Sequence, residues 1–538
     1  MKKGSKIALI VLAVLFGVFV LAFIGADVAA SYLVNKEVNK TLATIPGCEA
    51  SCGPIQIRFF SGTAGVDDIR FTYHGEPINA KDTIGPGIDI WVEHIEIGRI
   101  FYGLLLKKQV AIHDIRITRP HAELWLDDEH PETCFPQIQD TALGHANEML
   151  VSAELGKLKI RNAEFKLHSL RTPLDLMVDS LSLTVHDLAY DSTFHYNDSV
   201  YAFSLGKAVV VTPDGQMRIE TSGISQEDAG ELEVGRTRIC NTMPRRKLGE
   251  IVKEPCTWID MTIESVQTTA FNPIHKAMNQ DFTLDGLKAV VGEMDIFRDE
   301  RFKPKKPFPM PQEAIMAIPA TFKIQNVDAK IKHIGIEFAS TDINCGKLDI
   351  KNAQAKVKNV TNKRGATWHV KGGCPIEKGV ADAEFSLTMN KACDFGLKLH
   401  VTEIDINYLN TFIRPLVGIT ADCHVDTLDA DYKGNNVSAN GTFRMLYHGL
   451  NVQVHGDDDI PYKIVTKNAK AFTSIANSLI PKSNPTSVDI HPRAYKVEWK
   501  RNEWQEFPLY LFGPCINGAM KTFLPGLYVH EQVKNKKK

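Results

Sequence analysis

LKIRNAEFKL, residues 158–167, returns as FKIQNVDAKI at 322–331, as LDIKNAQAKV at 348–357 and, more loosely, as IRITRPHAEL at 115–124. Apolar residues stand at positions one and three, then at eight and ten. The two sets lie an odd number of residues apart, so strict pleating would send them to opposite faces of a sheet. A bend or bulge at Arg-Asn-Ala would return them to one face. The decapeptide therefore predicts two strand halves joined by a kink, both presenting apolar side chains inward. Its copies start 43, 164 and 26 residues apart, too irregular for a clean solenoid but consistent with similar strands stacked along an axis.

The rest of the chain carries the same period of two. IDIWVEHIEIG places Ile88, Ile90 and Val92 on one face, then Ile95 and Ile97 after a parity shift; LSLTVHDL at 181–188 alternates likewise. Pro-Asp-Gly at 213–215, Lys-Gly-Asn-Asn at 433–436 and Asn-Gly at 440–441 predict hairpin turns. Helical periodicity is confined to 28–42, 141–156, 469–480 and the C-terminal stretch. Five prolines in KPKKPFPMPQEAIMAIPATF, residues 303–322, predict an extended linker. Residues 221–256 have weaker patterning and predict an inserted loop region.

The 538 residues are 44% hydrophobic and 23% charged, ordinary values for a folded protein. A formal net charge of −2 gives no reason to expect nucleic acid as a partner. Eighteen consecutive uncharged residues, Ile7–Ile24, span about 27 Å as a helix, close to the thickness of a bilayer core. With Lys2, Lys3 and Lys6 before them, they predict a transmembrane anchor over 7–26 with the N-terminus in the cytoplasm. A cleaved signal peptide is the alternative, but such apolar cores are shorter, about 7–15 residues. Ten cysteines suit an oxidising compartment. Cys48 and Cys52 could bridge or stay free thiols; their spacing is not that of a metal site. No motif of a metalloprotease, serine hydrolase or phosphate-binding loop occurs, so no catalytic residue, cofactor or metal is expected. His455 beside Asp457–Asp459 is better explained as a polar turn than as a cation site.

Several segments together resemble the AsmA-like proteins of Gram-negative envelopes, which are related to TamB and to the eukaryotic bridge-like lipid-transfer proteins. They are the short N-terminal tail with one anchor, FYGLLLKKQVAIHDIRITRPHAELWL at 101–126, FRDERFKPKKPFPMPQEAIMAIPATFKIQNVDAKI at 297–331, NYLNTFIRPLVGI at 407–419 and DYKGNNVSANGTFRMLYHGLNVQV at 431–454. The 297–331 segment is nearest to members from Bacteroidetes-type bacteria. The ten cysteines depart from the cysteine-poor pattern of such proteins. The resemblance implies a mainly β, elongated, mostly antiparallel sheet curved into an apolar groove that guides phospholipid acyl chains in outer-membrane biogenesis, with head groups left in water.

The expected organisation is a cytoplasmic tail (1–6), an inner-membrane anchor (7–26), a first periplasmic β module (27–300), a Pro-rich linker (301–319), a second β module (320–500) and a C-terminal amphipathic segment with a basic tail (501–538). Groove candidates are Ile88, Ile90, Ile115, Ile117, Leu158, Ile160, Phe165, Leu167, Phe322, Ile324, Leu348 and Ile350; the plainer expectation is that they fill a sandwich core. Phe507, Leu511, Phe512, Ile516, Phe523 and Leu524 could meet a membrane or a partner, or cap the end of the sheet, and Gly513-Pro514 predicts a break in any helix there. Phospholipids are the expected ligands, with outer-membrane or periplasmic proteins as further partners. A scaffold for envelope assembly that carries no lipid is the other expectation. A hydrolase is a distant third.

Overall fold

The computed structural model describes residues 47–523, apart from 59–61, 79–83, 102–108, 128, 135–151, 172–174, 191–193, 213, 228–229, 270–281, 319–320, 341–344, 456–468 and 488–490. The described chain is mainly β and divides into two units between Arg238 and Ile239. The expected anchor over 7–26 lies outside the described residues, as does the helix expected over 28–42. Among the described residues, no helix is long and apolar enough to cross a membrane.

The first unit holds β1 (Cys48–Ser51), β2 (Gln56–Arg58), β3 (Thr63–His74), β4 (Gly87–Ile100), β5 (Gln109–Leu126), β6 (Ser152–Ser169), β7 (Asp175–Tyr190), β8 (Phe194–Val211), β9 (Met217–Gln226) and β10 (Glu233–Val234). β1 and β2 share one edge of β3, and from β3 to β10 each strand pairs with its successor. All these pairs are antiparallel except β5 with β6. β11 (Thr237–Asn241) carries the chain across the division.

The second unit continues with helix α1 (Arg245–Val252), β12 (Cys256–Thr268), β13 (Phe282–Asp299), helix α2 (Pro311–Met316), β14 (Phe322–Ala339), β15 (Cys345–Thr361), β16 (Thr367–Ile376), β17 (Gly379–Thr388) and β18 (Phe395–Asp405). It ends with α3 (Asn410–Val417), β19 (Ile419–Gly434), β20 (Ser438–Val454), α4 (Ala469–Leu479), β21 (Ala494–Lys500) and α5 (Phe507–Phe523). β12 to β21 pair in sequence order, antiparallel except for β13 with β14.

A parallel pair needs a connection that returns the chain to its starting end, and this explains the Pro-rich stretch. Residues 300–321 form the crossover between β13 and β14 within the second unit, where 301–319 had been expected to link two modules. Pro311 occupies the first turn of α2, where its missing N–H is not needed. Met310 is buried in the second unit's core, and the Arg501 guanidinium donates to the Phe308 carbonyl at 2.6 Å. Residues 221–256, expected as loop, contribute β9, β10, β11 and α1.

Three local expectations are corrected. Of the helix expected over 141–156, residues 141–151 lie outside the described residues, and 152–156 lie in β6, pairing in parallel with β5 from Gln109 onward. Asn440-Gly441 lies inside β20 opposite Tyr432. A Cβ on Gly441 would come within 2.1 Å of the Asp431 carbonyl oxygen, so this glycine serves close approach and not a turn. α5 runs unbroken through Pro514. Gly513 lets it lie against the Trp499 indole, 2.3 Å from where a Cβ would be, and this seating outweighs the hydrogen bond that proline removes. The expected helix at 469–480 is present as α4, and the strands on either side of Asp214-Gly215 and of 433–436 pair as hairpins; Pro213 lies outside the described residues.

Candidate functional site

The kink read from the decapeptide is built as left-handed backbone at position five. Arg119 of β5 (φ +46°), Asn162 of β6 (+51°) and Asn352 of β15 (+54°) adopt it; Asn326 of β14 does not. Asparagine tolerates this conformation better than most side chains because its amide bonds locally. In the parallel pair the two decapeptides lie in register: Ile115 opposite Leu158, Ile117 opposite Ile160, Ala122 opposite Phe165 and Leu124 opposite Leu167. Arg119 therefore kinks beside Asn162. Asp68 of β3 (+49°) and Ser180 of β7 (+56°) extend these kinks to neighbouring strands, creasing the first unit's sheet. In β4, Ile90 and Val92 before the parity shift and Ile95 and Ile97 after it pack into one cluster.

The crease leaves one apolar face organised as rows across strands. Val66, Ile95, Ile117, Ile160, Leu183 and Phe203 follow one another in register from β3 to β8. Beyond the crease, Tyr73, Ile88, Leu124, Leu167, Leu176, Val210 and Ile219 do the same from β3 to β9. The second unit has a longer row: Leu287, Val327, Val357, Val370, Phe385, Leu397, Tyr432, Gly441 and Val497, from β13 to β21. Shorter rows there join Ile296, Ile336 and Leu348, and Met294, Ile334 and Ile350.

All twelve groove candidates are half-buried strand residues. Ile117 and Ile160 belong to the first of these rows and Ile88 and Leu167 to the second, while Ile115 stands opposite Leu158, and Ile90 and Phe165 flank Ala122 from the two neighbouring strands. Phe322 stands opposite Phe282 and Ile324 opposite Leu284, while Leu348 and Ile350 join the shorter rows. FTLDGLKAVV, residues 282–291, pairs in register with the copy at 322–331 and is a fifth, unrecognised version of the decapeptide, with Gly286 in place of asparagine. Its apolar positions one, three, eight and ten were the available signal.

Cover over the apolar face is uneven. In the first unit β1 and β2 close one end, where Ile55, Ile57, Val66, Ile97 and Ile112 are buried together. In the second, α5 lies over β20 and β21. Tyr432 donates its hydroxyl to the Leu511 carbonyl at 2.6 Å and Tyr510 donates to that of Asn435 at 2.8 Å. Burial pushes the Tyr510 phenol up to about 12. Of the residues expected to meet a membrane or partner, Phe507, Leu511 and Phe523 pack against this core, Phe512 and Ile516 project outward, and Leu524 lies outside the described residues.

The opposite face is polar and laced with cross-strand charge pairs. His94 meets Asp67 at 2.6 Å, Arg116 meets Glu96 at 3.1 Å and Lys371 meets Glu384 at 2.5 Å. A cavity of about 1000 Å³ on the second unit includes Lys356, Lys371, Glu384, Lys398, Asp431 and Arg444 in its lining. Asp127 ties the ends of β5 and β6 together: Arg171 donates to it at 2.5 and 3.0 Å. These bonds hold its carboxyl down at about 2.

None of the ten cysteines forms a disulfide, so no bridge joins Cys48 to Cys52. Three strand steps of about 3.3 Å already carry Cys48 roughly 10 Å from Ser51, beyond the Cα separation of about 7 Å that a disulfide allows. Burial pushes the Cys48 thiol up to about 11. His455 meets the Thr420 hydroxyl at 2.9 Å, and Asp457–Asp459, considered beside it, lie outside the described residues.

Compared with protein-family models and with curated protein sequences, the chain matches none.

Proposed function

We propose that this chain accommodates phospholipid acyl chains along the apolar face of its sheets, in the manner of the AsmA-like proteins it resembles. One observation carries the reading: half-exposed apolar side chains continue in register across seven strands of the first unit, from Tyr73 to Ile219, and across five of the second, from Leu287 to Phe385. A face of that size attracts an apolar ligand in proportion to the area removed from water, without demanding particular residues. The charge pairs on the other face keep that side in water. Residues 7–26 would hold the chain in the inner membrane, leaving its bulk in the periplasm, where outer-membrane or periplasmic proteins could receive or deliver lipid. The side-chain-filled core beneath α5 is the feature that favours a scaffold carrying no lipid.

Purification of the full chain, lipid extraction and mass spectrometry test the proposal. Several phospholipids per chain are expected, falling by at least half in the folded variants Ile160→Asp and Ile324→Asp. Equal lipid in wild type and variants would assign it to the anchor and overturn the groove.

A further inference from the structure

Five metal-ligating side chains meet on the polar face of β18, β19 and β20. Asp405, His424 and His448 stand opposite one another in register across the three strands. Between the partners Thr402 with Thr427 and Ile404 with Val425, Glu403 faces Asp426. Asp405 approaches His424 Nδ1 at 2.7 Å and Glu403 approaches its Nε2 at 3.1 Å. The two imidazole rings lie 5.0 Å apart, and Asp426 sits 3.4 Å from His448 Nδ1. One donor atom each from Glu403, His424 and Asp426 falls within a span of 4.8 Å.

Carboxylates on this face pair in two ways. Neighbouring carboxylates pair with lysine or arginine, as Glu384 does with Lys371 and Asp429 with Arg444. Among the described residues, the ion-pair partners of Glu403, Asp405 and Asp426 are imidazoles only, and elsewhere Glu293 and Asp349 likewise meet the His333 imidazole. Like charges directly opposite across an antiparallel pair repel. Glu403 and Asp426 therefore hold a negative charge that a bound cation would offset.

We propose that Glu403, His424, Asp426 and His448 bind one divalent transition ion of the zinc class. Imidazole with carboxylate selects zinc-like ions over calcium or magnesium, which take oxygen ligands. Asp405 accepts from His424 Nδ1–H and so leaves Nε2 as the ligand atom, the carboxylate–histidine–metal arrangement that orients such sites. Metal bonds of about 2.0–2.2 Å put tetrahedral donors roughly 3.4 Å apart. Rotation of the exposed Glu403 and half-buried Asp426 side chains closes the span of these three donors to that distance, and the His448 ring, 5.0 Å from that of His424, would complete the set. With four protein ligands the site is a staple across three strands. It lies on the polar face, so it does not depend on acyl chains binding the apolar one.

Titration of the untagged, reduced full chain with Co²⁺ at about pH 8 tests this. One equivalent is expected, with visible d–d bands and no thiolate charge transfer, displaced by Zn²⁺. The variants His424→Gln and Glu403→Gln with Asp426→Asn should bind at least tenfold more weakly, and Asp405→Asn about tenfold. All should keep the wild-type circular dichroism. No band in the wild type, an unchanged band in His424→Gln, or a strong thiolate charge-transfer band would overturn the site.

Discussion

One row of the second unit passes through two environments. From Leu287 to Phe385, across β13 to β17, its side chains are half-exposed. From Leu397 onward, across β18 to β21, they are buried: Tyr432 is 2% and Val497 3% exposed. Residue type does not separate the two ends, since valine and an aromatic ring occur at both. What differs is α5, whose Phe507, Leu511 and Phe523 close the second end. The same strand pattern thus makes a finished core where α5 covers it and leaves half-exposed apolar side chains from Leu287 to Phe385, with α3 packing Phe412 on Phe338 at one end of β14. A core tolerates a charge poorly because the charge cannot reach water; a half-exposed face should tolerate it, and lose only what binds there.

That contrast can be broken at its buried end first. Val497→Asp should cost about 4 kcal/mol by urea unfolding; a cost below about 1 kcal/mol would mean that α5 does not close the core. Gly518→Val comes next. A Cβ at this position would fall 2.2 Å from Phe443, so the substitution should displace α5 and cost about 3 kcal/mol. Faster amide exchange in β20 and β21 than in β14 and β15 would mark the lost cover.

In the first unit, Asp127→Asn should cost about 2 kcal/mol, the worth of hydrogen bonds to a charged partner. Because the folded carboxyl is depressed from 3.8 to about 2, its contribution is complete above about pH 4 and is lost as pH falls towards 2. The variant's unfolding curve should lack that acid-side loss; an identical pH profile would show that Arg171 does not hold the carboxylate. Smallest in stability is Val357→Asp at the exposed end, about 1 kcal/mol. Its sharper expected outcome is a loss of co-purifying phospholipid, measured by mass spectrometry.

Much of the strand pattern was legible because a sheet with one wet face imposes period two on its sequence. LKIRNAEFKL even disclosed its kink, since only a bend reconciles apolar residues of opposite parity. Tertiary pairing was less legible. Ser152–Gly156 looked helical until β5 paired with it, and prolines that look like a linker form the return path of a parallel pair. Asn440-Gly441 carries a turn signature, yet its glycine answers to the Asp431 carbonyl on a neighbouring strand. The histidine–carboxylate cluster was hidden because its members come from three strands; the alternating Asp422, His424 and Asp426 was its one local sign.

The central claim is that the apolar face meets lipid and changes parity at the crease. It is tested most directly by placing a photoreactive residue singly at positions 158 to 167 of the full chain and scoring crosslinks to phospholipid. Crosslinks at 158 and 160, then at 163, 165 and 167, with little at 159, 164 and 166, are predicted. Equal labelling on both faces, or none at any position in the folded chain, would contradict it.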